Sequence, residues 1–140
     1  MIGVLLIAHA PLASALAAAA AHVYSCAPQR AQAGVRALDV APDVDLAATV
    51  AVAQRLIDEI DTGEGVLVLV DAFGASPGNI AAQLARAGHV EVLAGVNLPM
   101  LLRALCYRDG TLAQTAEKAL AGGGAGMLRV APPAPSPARG

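Results

Sequence analysis

Charge is scarce in this chain. Only 14% of its 140 residues are charged, nine Lys and Arg against eleven Asp and Glu, scattered without runs of either sign. The missing basic stripe excludes a nucleic-acid surface of the usual kind and points to proteins or small molecules as partners. Cysteine is nearly absent as well: Cys26 and Cys106 stand far apart, with no C-x-x-C spacing and no clustered histidines. Neither a disulfide scaffold nor a zinc site is expected, and both cysteines read as small buried hydrophobes. A phosphate-binding loop of the G-x-x-x-x-G-K-[ST] type is missing, and the first strand–helix turn, His9-Ala10-Pro11, is not glycine-rich, so nucleotide and flavin sites are not expected. No cofactor or metal is called for.

The apolar amino terminus also lacks the marks of a targeting segment. No Lys or Arg precedes it, and His9 and Pro11 interrupt it. A secretory signal or membrane span is therefore not expected, and the cytoplasm is the default compartment. No internal repeat is found.

What is present is apolar material for one core: hydrophobic residues make up 56% of the chain. Residues 2–8 form a continuous apolar run of strand length, which fits a strand covered on both faces. Residues 12–21 read as a helix with Pro11 in its first turn. A second strand is expected at residues 35–39, then a helix capped by Asp43 or Asp45 and running to about Ile60, with Leu46, Val50, Ala53 and Ile57 on one face. The clearest buried strand is residues 65–71. Ser76 and Pro77 then supply an N-cap and a first-turn proline for a helix ending near Gly88. A fourth strand follows at residues 90–94, Asn97 to Pro99 open another helix, and Thr111 with Gln114 has the spacing of a capping box for the last. The glycines at 122–126 read as a break and hinge, residues 127–130 as a short final strand, and the Pro/Ala-rich residues 131–140 as a disordered tail beyond a domain of residues 1–130.

Strands alternating with helices over short connections predict an α/β fold, an open flavodoxin-like three-layer sheet with parallel strands in the order 2-1-3-4. In such a sheet the functional crevice lies beyond the carboxyl ends of the strands, between strands 1 and 3. His9 and Asp71 end those two strands and should meet there although 62 positions separate them. A carboxylate accepting from one imidazole nitrogen sets the tautomer and leaves the other nitrogen free to attack and to hold a phosphoryl group. Ser76 and the backbone N–H groups opening its helix offer donors and a positive dipole end to that group. Singly, each residue has a plainer role: a histidine satisfied at a sheet end, a carboxylate capping a turn, a serine capping a helix. Their convergence is what points to chemistry.

These residues occur in an order that resembles the mannose-type IIA components of the sugar phosphotransferase systems, over residues 1–130. The strand ending IAH at residues 7–9 is similar to the family's strand and phosphorylated histidine. The stretch GVLVLVDAFGASP at 65–77 resembles its strand, aspartate, glycine-containing loop and Ser-Pro helix start, and LAGVNLPML at 93–101 resembles a third hallmark. The resemblance implies that His9 accepts a phosphoryl group from the phosphocarrier protein HPr and passes it to a IIB protein, with Asp71 orienting the ring. It implies phosphoryl binding by Ser76, Gly74, Ala75 and Phe73, with Asn97 and Pro99 shaping the neighbouring wall. It also implies a homodimer that exchanges a final antiparallel edge strand, for which residues 127–130 are the matching segment. Ala10, Phe73 and Ala75 depart from the residues usual at their positions, which leaves the loop conformation and partner specificity open. Two alternatives stand beside this one: a regulatory target that reads the phosphorylation state of an incomplete system without a permease, and the phosphotransfer subunit of dihydroxyacetone kinase, against which the Asn97-Leu98-Pro99 segment argues. His22 and His89 have no ligands near them in sequence. Tyr24, Tyr107, Arg103 and Arg108 read as residues of solvated helix faces or partner contacts.

Overall fold

A computed structural model describes residues 1–135. Four strands, β1 (Gly3–His9), β2 (Val35–Val40), β3 (Val66–Val70) and β4 (Val90–Ala94), form one sheet in the order β2-β1-β3-β4 with every neighbouring pair parallel. Helices α1 (Leu12–Val23), α2 (Pro28–Gln32), α3 (Leu46–Ile60), α4 (Ser76–Ala82), α5 (Leu98–Tyr107) and α6 (Leu112–Ala125) connect and cover it. Successive residues of a strand point to opposite faces, and the core divides accordingly. Ile2, Val4, Leu6 and Ala8 of the first strand region join Leu67 and Leu69 under α1, α5 and α6. Leu5 and Ile7 join Val66, Val68 and Val70 under α3 and α4. With both faces buried, β1 and β3 need apolar residues at every position, which is why they read as unbroken apolar runs.

The caps follow local chemistry. Asp45 caps α3 by accepting from the Ala48 N–H at 3.2 Å, Asn97 caps α5 through Met100 at 2.9 Å, and Thr111 and Gln114 form the expected capping box of α6. Two expectations about helix ends fail. The helix after β3 stops at Ala82, not near Gly88, because the chain must turn back into β4: Arg86 and Val90 exchange backbone hydrogen bonds of 3.0 and 2.8 Å, which the helix could not continue past. Ser76 is also not its cap. It is the first helical residue, Ala75 holds the cap position, and the serine side chain makes no capping bond.

The glycines at 122–126 do not break the last helix, which continues through them to Ala125. Their small size serves packing. A Cβ on Gly122 would lie 2.8 Å from the Arg103 Cβ, and one on Gly123 3.0 Å from the Met100 Cβ, so α6 approaches α5 more closely than any larger residue allows. Residues 127–130 form no strand: within a single chain they reach no free sheet edge, and the expected antiparallel edge strand is not found among the described residues. Of the tail expected to be disordered, residues 131–135 are exposed without regular structure, and 136–140 lie outside the described residues. Among the described residues no helix is long and apolar enough to cross a membrane.

Three side chains are placed differently from their sequence-based reading. Cys26 and Cys106 are exposed, not buried. Cys106 falls off the inward stripe of α5, which runs through Met100, Leu101, Ala104 and Leu105. Arg108 is fully buried, not on a solvated or docking face. Its Nε donates to the Ile2 carbonyl at 2.9 Å, Nη1 to Ala33 at 2.6 Å and Arg30 at 3.2 Å, and Nη2 to Gly34 at 3.1 Å. Burial pulls this guanidinium down to about 10, which still leaves it charged at neutral pH.

Candidate phosphoacceptor site

The strand order sets the site. β1 and β3 are central neighbours, and their connections leave on opposite faces, so a crevice opens beyond their carboxyl ends. His9 is the last residue of β1, and Asp71 follows β3 by one position. They meet: His9 Nδ1 lies 2.7 Å from Asp71 Oδ2, and the His9 backbone N–H donates to the same oxygen at 3.1 Å. The other oxygen, Oδ1, accepts from the Ala72 N–H at 2.9 Å. Asp71 is thus held at three points, by its own turn and by both the backbone and the ring of His9.

The electrostatics agree with an ionised carboxylate. Burial works to raise the Asp71 pKa, but the hydrogen bonds from the His9 ring and backbone, the nearby imidazole and the Ala72 N–H outweigh it and leave the group below its ordinary value. An ionised carboxylate can only accept, so Nδ1 is the donor in this bond, and in the neutral ring the lone pair lies on Nε2. The imidazole is 53% exposed against 12% for the Asp71 side chain, so a deeply seated carboxylate orients a ring that reaches solvent.

The loop that follows Asp71 is compact. Gly74 adopts φ 82°, a conformation that favours glycine, and α4 starts at Ser76. Ser76 and Gly74 are exposed, Ala75 is half-buried, and Phe73 is 93% exposed, its side chain directed into solvent. With only seven residues in α4, the N–H groups at its start are a better anion feature than its dipole. On the far side, Asn97 is bound to its own helix pair: Oδ1 caps α5, and Nδ2 donates to the Gly123 carbonyl at 3.0 Å. Pro99 packs on the end of α6, where a Cβ on Gly126 would meet its ring at 2.5 Å. Both residues brace the α5–α6 pair.

Two polar constellations escaped the sequence reading. Asp39, near the end of β2, accepts from the Ser14 N–H at 3.0 Å and from the Ser14 hydroxyl, tying the first turn of α1 to the sheet beside His9. Its place near a strand end, like that of Asp71, was a usable signal. His89 and Asp61 form a second pair, Nε2 to Oδ2 at 2.6 Å, at the opposite end of the sheet. They are 28 positions apart on connections into different strands, and no local spacing announces them. A cleft of about 560 Å³ at that same end is lined by Glu64, Glu91 and Asp109 together with Thr111 and Gln114. It does not contain His9, and its acidic wall is unsuited to a phosphoryl group.

Residues 3–120 match the family described as the PTS system fructose IIA component, EIIA-man. A stretch of 52 residues, 36% of this chain, is 50% identical to the PTS system mannose-specific EIIAB component of Escherichia coli K12, of whose length it spans 16%. The fold is similar to that of the mannose/sorbose-specific IIA subunit from Enterococcus faecalis, with a TM-score of 0.80 at 21% identity, over 96% of this chain and 98% of that one. It is similar too to phosphotransferase system component EIIA from Streptococcus agalactiae, with a TM-score of 0.77 at 22% identity, over 92% and 97% of the two chains. With a family match over most of its length, and with a histidine and an aspartate joined at the carboxyl edge of the sheet, this chain belongs to the mannose-type IIA family of the sugar phosphotransferase systems.

Proposed function

We propose that this chain carries a phosphoryl group on Nε2 of His9, accepting it from phospho-HPr and passing it to a IIB protein. The observation that carries this reading is the 2.7 Å bond from His9 Nδ1 to Asp71. That bond holds the ring in the tautomer whose exposed nitrogen is the nucleophile. In the transfer, the Nε2 lone pair forms a bond to phosphorus as the phosphorus–nitrogen bond of the donor's phosphohistidine breaks, and the electron pair returns to the donor ring. The phosphorylated imidazole keeps its Nδ1 proton and becomes cationic, and the Asp71 carboxylate offsets that charge without taking the proton. Ser76 and the backbone N–H groups of Gly74 and Ala75 hold the phosphoryl oxygens, with the Phe73 backbone at the edge of the loop. Asn97 and Pro99 act on the site through the α5–α6 wall. Such a relay works in the cytoplasm, where its donor is made.

The test is incubation with phosphoenolpyruvate, enzyme I and HPr at neutral to alkaline pH, followed by intact mass. Wild type should gain one acid-labile phosphate and His9→Ala none. A phosphate retained on the variant would remove His9 from the reaction. The same reading includes a homodimer in which residues 127–130 pair with the partner's sheet edge. In its favour, Met127, Leu128 and Val130 stand 71%, 69% and 82% exposed, an unusual density of apolar side chains in water. Deleting residues 127–140 should convert the dimer to a monomer in sedimentation, and an unchanged dimer would refute the assignment.

A further inference from the structure

The helix that follows His9 has no cap of its own. Pro11 holds the cap position of α1 and makes no side-chain cap bond, and no acidic residue lies in the first turn. Packing holds that turn weakly, because His9, Ala10, Pro11, Leu12 and Ser14 are exposed and only Ala13 is buried. The acceptor comes from the sheet instead. Asp39 Oδ1 accepts the Ser14 N–H at 3.0 Å, and Oδ2 accepts the Ser14 hydroxyl. Ser14 is the third residue of α1, the place whose N–H a cap side chain ordinarily satisfies. Asp39 lies 25 positions away in sequence and stands opposite Ala8, the residue before His9, in the β1–β2 register. Backbone groups fix the near end of the same segment: the His9 N–H donates to Asp71 at 3.1 Å and the Ala10 N–H to the Val40 carbonyl at 3.0 Å. Among the described residues, Asp39 makes the only side-chain hydrogen bonds to residues 10–14.

We propose that Asp39 is a positioning residue for transfer to His9: by gripping Ser14 from β2 it stiffens residues 10–14 and keeps the ring that precedes them seated on Asp71. The inference rests on the reading of His9 as the acceptor. The imidazole is half-exposed, so its seat depends on the 2.7 Å bond from Nδ1 and on where its own backbone stands. A first turn that frays from β2 pulls on that backbone and loosens the bond. The neutral ring then shares its proton between Nδ1 and Nε2, and fewer rings offer the Nε2 lone pair. A displacement of about 1 Å at a remote support can slow a reaction about 10²-fold, and partial fraying should cost less. A role through the charge of Asp39 predicts different variants. Asparagine removes the charge and keeps both links, because its Oδ1 accepts from the Ser14 N–H and its Nδ2 donates to the Ser14 hydroxyl oxygen. Alanine keeps neither.

The experiment pairs two readouts. One is the rate of His9 phosphorylation against phospho-HPr concentration. The other is the nitrogen NMR signals of the imidazole rings in unphosphorylated protein at mildly alkaline pH, those of His9 being identified by their loss in His9→Ala. Asp39→Ala should lower the maximal rate about tenfold and alter the half-saturating concentration less than about twofold. It should also move the His9 signals toward the Nε2-protonated form while those of His89 stay in place. Asp39→Asn should stay within about threefold of the wild-type rate and keep the His9 signals. Adding Ser14→Ala to Asp39→Ala should cost nothing further, since the pair acts as one unit. Should Asp39→Ala not fold, Ser14→Ala against Ser14→Thr makes the same comparison, because threonine keeps the hydroxyl. Equal losses in the alanine and asparagine variants assign the effect to charge and overturn the proposal. So do His9 signals that stay put in Asp39→Ala, or a shift of His9 and His89 alike, which marks general loosening. A wild type that gains no phosphate defeats the carrier reading, whereas the NMR comparison decides separately whether Asp39 seats the ring.

Discussion

The two ends of the sheet each carry a histidine bonded to an aspartate, at 2.7 Å for His9–Asp71 and 2.6 Å for His89–Asp61, and they do opposite things with it. At the amino end, Asp61 also accepts from the Gly63 N–H at 2.8 Å and the Gly65 N–H at 3.4 Å, so the pair clasps the turn before β3 to the entry of β4. Gly65 belongs to that clasp: it adopts φ 104°, and a Cβ there would lie 2.9 Å from the His89 carbonyl oxygen. The neighbouring cleft is walled by carboxylates. At the carboxyl end, Asp71 is spent on one histidine and its own turn, the imidazole is 53% exposed, and a serine with helix-start N–H groups follows in the next loop. If His9 is the acceptor proposed above, a His–Asp bond alone does not identify one, because His89 makes the same bond.

The amino end also holds the buried Arg108, which satisfies carbonyls of Ile2, Arg30, Ala33 and Gly34, while at the carboxyl end the His9 ring is half exposed. The contrast predicts that stability resides in one end and activity in the other. Arg108→Met should lose about 4 kcal/mol, because it strands several buried acceptors at about 1–3 kcal/mol each with partial relief by water. Urea unfolding measures this, and a loss below about 1 kcal/mol would show that solvent replaces the guanidinium. Asp71→Asn should slow transfer from phospho-HPr about 10²-fold, the scale of losing a positioned proton partner. Asp61→Asn should leave that rate unchanged in the same rapid-quench assay. Equal slowing by the two variants would erase the distinction between the pairs.

The smallest effect concerns pH. The Asp61 carboxyl lies below its ordinary value, chiefly through the Gly63 N–H and against the pull of burial, with His89 adding to the shift. A lowered carboxyl pKa stabilises the fold above the unfolded value of about 3.9, and that stabilisation is lost as pH falls through the lower folded value. Asp61→Asn should therefore cost about 1 kcal/mol at pH 7, and the gap to wild type should close as the solution is acidified toward pH 3. A gap that stays constant across this range would assign the loss to packing instead of charge. Asp71 follows the same sign, since its carboxyl is also lowered.

Much of this was legible in residues 65–71, where an unbroken apolar run ending in aspartate can only be a covered strand with a carboxylate at its mouth. The same holds for the Thr111–Gln114 cap and for His9 at the end of the first strand. Legibility failed where the deciding contact is distant. Arg108 looks like a surface arginine because its acceptors lie 74 to 106 positions away. The glycines at 122–126 look like a hinge because nothing nearby shows that α5 presses against them. Nothing in the residues beside Phe73 shows that its side chain stands 93% exposed.

The sequence by itself determined the alternation of strands and helices, the burial of β1 and β3, and the arrival of His9 and Asp71 at the same edge, because periodicity and caps are local and right-handed connections leave few topologies. Tertiary structure alone decided which aspartate each of His9 and His89 meets, through which ring nitrogen, and which arginine is interior. Those depend on side chains from distant segments meeting within a few ångströms, and no pattern along one chain encodes that distance.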